Sequence, residues 1–277
     1  MQPKDLTIII VTYKSDEKIF NCLKSIPDDL SVIIVENSNS NTFKEKIEEN
    51  FTNVKCTLTG ENKGYSAANN IGLKLAKSKY ALVLNPDTVL DKTAIKHFFL
   101  SASCNNDFWL MGPGNDQDKN LDFENRNLLE VENLKGFAIF FNLSKFNQEF
   151  FDENFFLFFE EIDLCRRVKN ISGKIFLDKN IVIKHEGASS VTLGNSLELE
   201  KNRNWHWMWS TFYYQKKYKG FIFALLLIFP KLLSAFFKTV FYLMTFNNKK
   251  RDIYFCRLSG LLNSIIGKKA WYRPSID

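Results

Sequence analysis

The sequence predicts an α/β domain on a mostly parallel central sheet, followed by a helical appendage, and three observations carry that prediction. Short β-branched runs lie at residues 6–13, 31–36, 54–58 and 80–84, with helical periodicity in the stretches between them. A composition of 45% hydrophobic and 25% charged residues over 277 positions belongs to a chain that buries a core, which excludes disorder, collagen and simple coiled coil. The charge is divided: residues 1–200 hold 23 Lys+Arg against 29 Asp+Glu, and residues 201–277 hold 14 against only Asp252 and Asp277. A net of −6 followed by +12 predicts two parts, 1–200 and 201–277, the second facing an anionic surface.

The elements follow in order. LTIIIVTY (6–13) is a buried strand, β-branched and ended by polar residues. Its apolar run is too short for a signal peptide. Residues 16–26 space their apolar positions as a helix does, SVIIVE (31–36) is a second buried strand before the turn-like NSNSN, and 42–50 reads as a polar helix. VKCTL (54–58) is a third strand, and GENKGYSAANNIGLKLAKS begins as a loop and becomes an Ala-rich helix. YALVL (80–84) must stop at Asn85-Pro86-Asp87, because proline lacks the N–H that a ladder needs. Residues 105–135 are polar and predict loops with an inserted ribbon; KGFAIFF (135–141) is a strand. Glu160, Glu161 and Asp163 open a helix whose end holds Arg166, Arg167 and Lys169, an order that suits the helix dipole. IVIKHEGASS (181–190) is a strand ending in a polar loop.

The tail differs in kind. Residues 220–246 are apolar except for Lys231, Lys238 and a few hydroxyls, with Pro230 expected to kink them. The length suffices for a bilayer, but two lysines seven apart share one helical face, which favours a helix lying in the membrane plane over a clean span. The basic, aromatic stretches NNKKR and GKKAWYRP suit a headgroup region. The oil between the basic groups argues against nucleic acid as partner. Five scattered cysteines without CxxC argue for a reducing compartment and against a disulfide framework or structural zinc.

Parallel sheets bind ligands beyond the carboxyl ends of their strands. The clusters Thr12-Tyr13, Glu36-Asn37-Ser38 and Asn85-Pro86-Asp87 all follow strand ends and should converge on one crevice. Asp87, a carboxylate after a strand-stopping proline, is a candidate ligand for Mg²⁺ or Mn²⁺, and equally a loop cap. The three acids at 160, 161 and 163 read on their own as a helix cap, and Phe-rich 150–159 is core before it is site.

Six motifs in order, TIIIVTYKS, VIIVENSNS, ENKGYSAANNIGL, LVLNPDT, FDENFFLFFEEIDLCRR and KHEGASS, resemble the family 2 glycosyltransferases of the GT-A fold, and among them the rhamnosyltransferase-like branch of bacterial cell-surface polysaccharide assembly. The resemblance spans residues 6 to about 190. It implies inverting transfer of a sugar from a nucleotide-diphosphate donor, dTDP-rhamnose by branch analogy, to a polyprenyl-diphosphate-linked or polysaccharide acceptor, with a divalent metal. It implies nucleotide-sugar contacts for Thr12, Tyr13, Glu36, Asn62, Gly64, Asn70, Asn85 and Asp87. Asp87 and His185 would hold the metal, and Glu161 would be the base, with Glu160 and Asp163 as support or acceptor contacts. Glu36 and Glu161 stand where the family usually has Asp, and Asn85 replaces the first acid of its Asp-x-Asp element. A metal-dependent, membrane-associated transferase at the cytoplasmic face of the inner membrane, monotopic or peripheral, is therefore the expectation; the alternative is a degenerate, non-catalytic nucleotide-sugar-binding or interaction protein.

Overall fold

The computed structural model describes residues 2–91, 93–114, 127–147, 149–185 and 196–273, the side chains of Glu17 and Ser196 aside. The chain forms two compact units: Met1–Asp152 with Glu161–Thr192, and Glu153–Glu160 with Leu193–Asp277.

The first unit is built on strands β1 (Leu6–Thr12), β2 (Ser31–Glu36), β3 (Val54–Leu58), β4 (Tyr80–Leu84), β5 (Thr88–Leu90), β6 (Phe108–Pro113), β7 (Leu128–Glu130), β8 (Ala138–Asn142), β9 (Lys174–Asp178) and β10 (Ile183–His185). The main sheet runs in the order β3-β2-β1-β4-β8-β6-β9-β7, and β5 pairs separately with β10. The β3–β2, β2–β1, β1–β4 and β6–β9 pairs are parallel, so the mostly parallel sheet predicted from the sequence is what forms. Every residue of β1, β4 and β8 is buried, as expected of strands covered on both faces. Helices α1 (Asp16–Lys24), α2 (Asn41–Asn50), α3 (Tyr65–Leu75), α4 (Ala94–Cys104) and α5 (Glu160–Asn170) complete the unit, except that Glu160 itself falls in the second.

The region 105–135 needs correction. Its described part contains β6, an inner strand between β8 and β9, rather than loops alone. The short apolar run FWLMGP is hidden in sequence by polar flanks, yet all but Trp109 in it is buried. The expected ribbon's residues 115–126 lie outside the described residues, as does the polar loop 186–190.

The second unit holds three helices, α6 (Ser196–Lys219), α7 (Phe221–Met244) and α8 (Asn248–Ile265). Met208, Phe212, Ala224, Ile228 and Leu261 form one core cluster among them, and Trp205, Trp209 and Cys256 a second. α7 continues through Pro230, and it is long and apolar enough to cross a membrane. Most of its large side chains face outward, Phe223, Phe229 and Phe237 among them.

Candidate active site

The parallel register brings the first two polar clusters together. Thr12 and Glu36 are Cα partners at the ends of β1 and β2. Both side chains are buried, and Thr12 Oγ1 has no hydrogen-bond partner. The Glu36 carboxylate accepts from Ser38 N at 3.0 Å and Ser40 N at 2.9 Å, and from the Ser38 hydroxyl. It therefore organises the turn into α2, where Ser40 Oγ caps the helix by accepting from Phe43 N at 3.2 Å.

Asn37 ties β1 to the 59–64 loop. Its N–H donates to Thr12 O at 2.8 Å, its Nδ2 donates to Asn62 Oδ1 at 3.0 Å, and its Oδ1 accepts from Lys63 N at 2.9 Å. Asn62 Oδ1 also accepts from Gly64 N at 3.1 Å, and Gly64 enters α3 at φ +85°, where a side chain would be strained. Asn70 is spent on a two-way clamp, donating to Phe151 O at 2.8 Å and accepting from Phe151 N at 2.9 Å. Asn62, Gly64 and Asn70 thus shape the loop-helix element by internal bonds. Tyr13 is half-buried beside Ser15, whose Oγ donates to its carbonyl at 3.2 Å.

The metal candidates are set side by side by the small ribbon. Asp87 directly precedes Thr88, the register partner of His185. Thr88 Oγ1 closes the Asn85–Thr88 turn by donating to Asn85 O at 2.6 Å, with Pro86 fixing the turn's φ. Asp87 Oδ1 then stands 3.4 Å from His185 Nε2, and the Asp87 side chain is fully buried while that of His185 is partly open. A cation with metal–ligand distances of about 2.0–2.2 Å holds neighbouring donors about 3 Å apart, so this carboxylate–imidazole pair fits a shared divalent ion with positions left for a ligand. No group of three such donors occurs among the described residues.

Residues 136 and 137 connect this pair to Glu161. The Phe137 ring stacks on His185, with centroids 4.7 Å apart and planes at 8°. A Cβ on Gly136 would lie 3.7 Å from Cβ, Cγ and Cδ of Glu161, so the Glu161 stem runs along that glycine. Tyr65 Oη lies 2.8 Å from Gly136 O and 3.1 Å from Asn85 Oδ1, linking the 136–137 segment to the 85–88 turn. Tyr65, Gly136 and Phe137 escaped the sequence reading: an aromatic after the loop glycine was the only signal, and nothing in KGF marks a site.

Glu161 Oε2 is sealed from solvent without a hydrogen-bond partner. Burial pushes the carboxyl above its ordinary range, opposed by the backbone N–H groups of Glu161 and Ile162. Desolvation is the largest cause of that rise. Asp163 is instead engaged with Arg167 at 2.8 Å, whose guanidinium also donates to Glu149 O at 2.9 Å and to Phe150 O. Asp163 and Arg167 therefore fix the segment before the helix. Glu160 is buried and opens α5 from the second unit. His206 is a core histidine: its Nε2 lies 2.9 Å from Tyr272 O, and burial pushes its pKa down to about 3.

Comparison with known proteins agrees with this architecture. The model of glycosyl transferase family 2 matches residues 7–164. The low-salt glycan biosynthesis hexosyltransferase Agl10 of Haloferax volcanii is 27% identical over 192 residues, 60% of this chain and 62% of that protein. The chain thus spans about three fifths of that relative's length. A teichoic acid poly(glycerol phosphate) polymerase of Staphylococcus epidermidis is 33% identical over 110 residues, covering 37% of this chain and 15% of that protein. Among solved structures, the mannosyltransferase PcManGT from Pyrobaculum calidifontis in complex with GDP-Man and Mn²⁺ superposes with a TM-score of 0.58 at 12% identity, over 96% of this chain and 88% of that one. The family match covers more than half of the sequence and the shared fold is GT-A: this chain belongs to glycosyl transferase family 2.

Proposed function

We propose that the protein is an inverting glycosyltransferase that moves a sugar from a nucleotide-diphosphate donor to a lipid-linked or polysaccharide acceptor in cell-surface glycan synthesis. The observation that carries this is the continuous series Glu161, Gly136-Phe137, His185 and Asp87, which joins a buried proton acceptor to a metal-binding pair. Asp87 and His185 would hold Mg²⁺ or Mn²⁺, which when bound supplies positive charge against the departing diphosphate. Thr12 and Glu36 lie at the nucleotide end, with Tyr13 beside them and Asn37, Asn62, Gly64 and Asn70 holding the loop in shape. Asn85 shares the turn with Asp87 and is fixed by Tyr65.

Glu161 takes the proton of the acceptor hydroxyl as that oxygen attacks the anomeric carbon from the face opposite the leaving group. Inversion needs one carboxylate for this, and a raised pKa brings the base closer to the working pH. The mannosyltransferase of the same fold holds GDP-Man and Mn²⁺, which supports a sugar nucleotide and a divalent ion as ligands here. Rhamnose as the sugar, with dTDP-rhamnose as donor, rests on the branch resemblance alone.

The helical unit is proposed to attach to the cytoplasmic face of the plasma membrane, with a polyprenyl-diphosphate-linked sugar as acceptor. Lys216, Lys217 and Lys219 precede α7, Lys249, Lys250 and Arg251 follow it, and Lys231 and Lys238 lie exposed along it. A spanning helix would put one basic cluster outside and two lysines in hydrocarbon, whereas an in-plane helix keeps all of them at anionic headgroups.

The test is a thermal-shift screen of nucleotide sugars with Mn²⁺ or Mg²⁺, followed by a transfer assay with the hit. One donor should raise stability only with metal, because a ligand of the folded state shifts unfolding. Binding without turnover by the wild type would favour the non-catalytic reading instead.

A further inference from the structure

The segment ahead of the base candidate has an unusual backbone. Phe158 and Phe159 both have φ +71°, a left-handed conformation that bulky L residues rarely adopt. Such a conformation persists only where the surroundings over-determine it, and such sites gather at functional centres. Here the surroundings belong to the helical unit. Phe158 and Phe159 meet the Trp207 ring of α6 with centroids 5.3 and 5.2 Å away. Ser210 Oγ donates to Leu157 O at 2.9 Å, and Phe156 stacks on His206 at 4.5 Å. The chain then runs from Phe159 through Glu160 directly into Glu161.

We propose that α6, through Trp207 and Ser210, holds residues 157–159 in this conformation and so sets the backbone that leads directly into Glu161, which makes Trp207 and Ser210 positioning residues for it. The role assigned to Glu161 rests on the transferase reading above. The physical logic is covalent: two peptide units in a costly conformation stand immediately before α5, so their relaxation would rotate the residues that open the helix. Trp207 is 45% exposed, so its truncation leaves the cores of both units filled. The contacts of residues 157–159 run to Trp207, Tyr214 and Ser210 of α6, so the clamp is expected to act on Glu161 rather than on donor binding.

The experiment uses the full chain in anionic vesicles and compares wild type with Trp207→Ala, Trp207→Phe and Ser210→Ala. Two readouts are taken: amide hydrogen exchange of residues 155–162, and kcat with donor KM in a transfer assay. Trp207→Ala should raise exchange there and lower kcat by about tenfold or more, with donor KM within about twofold. Trp207→Phe should restore most of both, because it keeps a ring against the phenylalanines, and Ser210→Ala should act in the same direction more weakly. Unchanged exchange in Trp207→Ala overturns the clamp. Raised exchange with unchanged kcat overturns the positioning of Glu161, and so does a parallel loss of kcat, donor affinity and thermal midpoint, which marks general destabilisation. If the wild type transfers no sugar while the exchange result holds, the transferase reading fails and the clamp survives it.

Discussion

Two carboxylates divide the proposed chemistry between them, and their surroundings explain how. Asp87 is buried against an imidazole, a donor set for a cation, whereas Glu161 is buried along a glycine backbone with one oxygen sealed. Asp87→Ala should therefore abolish the metal-dependent thermal shift given by a donor, measured against the variant's own apo midpoint. Glu161→Gln should keep that shift and lower kcat by about 10²–10⁴-fold, the usual worth of a positioned general base. Loss of donor binding in Glu161→Gln would remove it from the base role. The pH dependence has a definite sign: a base works when deprotonated, and burial raises the pKa of Glu161. The acid limb of kcat/KM should thus lie above the ordinary carboxylate range, and a limb near pH 4 would contradict the sealed environment. Asp87 was legible as a residue because proline marks its strand end. Tyr65, Gly136 and Phe137 were not legible, because their roles arise from a backbone carbonyl, an absent side chain and a ring stack, none of which leaves a pattern.

At the scale of elements, close approach decides more than periodicity. α8 crosses α6 at Gly260, where a Cβ would lie 2.3 Å from the carbonyl oxygen of Trp205. A backbone atom cannot swing aside as a side chain can, so Gly260→Ala should force the helices apart and cost about 1–3 kcal/mol, read as a lower denaturant midpoint. An unchanged midpoint would show that α6 and α8 do not depend on this close approach. The strands at 6–13, 31–36, 54–58 and 80–84 were readable because each is a short buried run between polar turns. β6 was not, since its apolar residues sit inside a long polar stretch and only its neighbours β8 and β9 make it a strand. α6 was unreadable for a related reason: it carries charges and tryptophans together, and its apolar groups are sorted only by packing with α7 and α8.

For the whole molecule, the split charge and the exposed face of α7 belong to one proposal about membranes. Because α6 shares its core with α7 and α8, deleting residues 220–277 would uncover Met208 and Phe212, so charge substitution is the cleaner test. Phe223→Glu with Phe237→Glu, both on outward positions of α7, should shift the protein from the pellet to the supernatant in sedimentation with anionic vesicles. Binding of the wild type should weaken with salt, since each basic group near an anionic surface is worth about 1 kcal/mol and is screened within a Debye length. Equal pelleting of wild type and double variant would refute the role of this face.

Alternating apolar and polar runs determined the α/β class by themselves, as did the strand-end clusters at 12, 36 and 85–87 and the change of charge beyond residue 200. These are local or compositional properties, and burial acts on them wherever the chain goes. Tertiary structure alone decided that His185 meets Asp87 through a two-stranded ribbon, that burial raises Glu161, and that Trp207 of α6 meets the phenylalanines before it. Those outcomes depend on which distant segments share a face and exclude water together, and desolvation is a property of the assembled surroundings, not of any residue in the string.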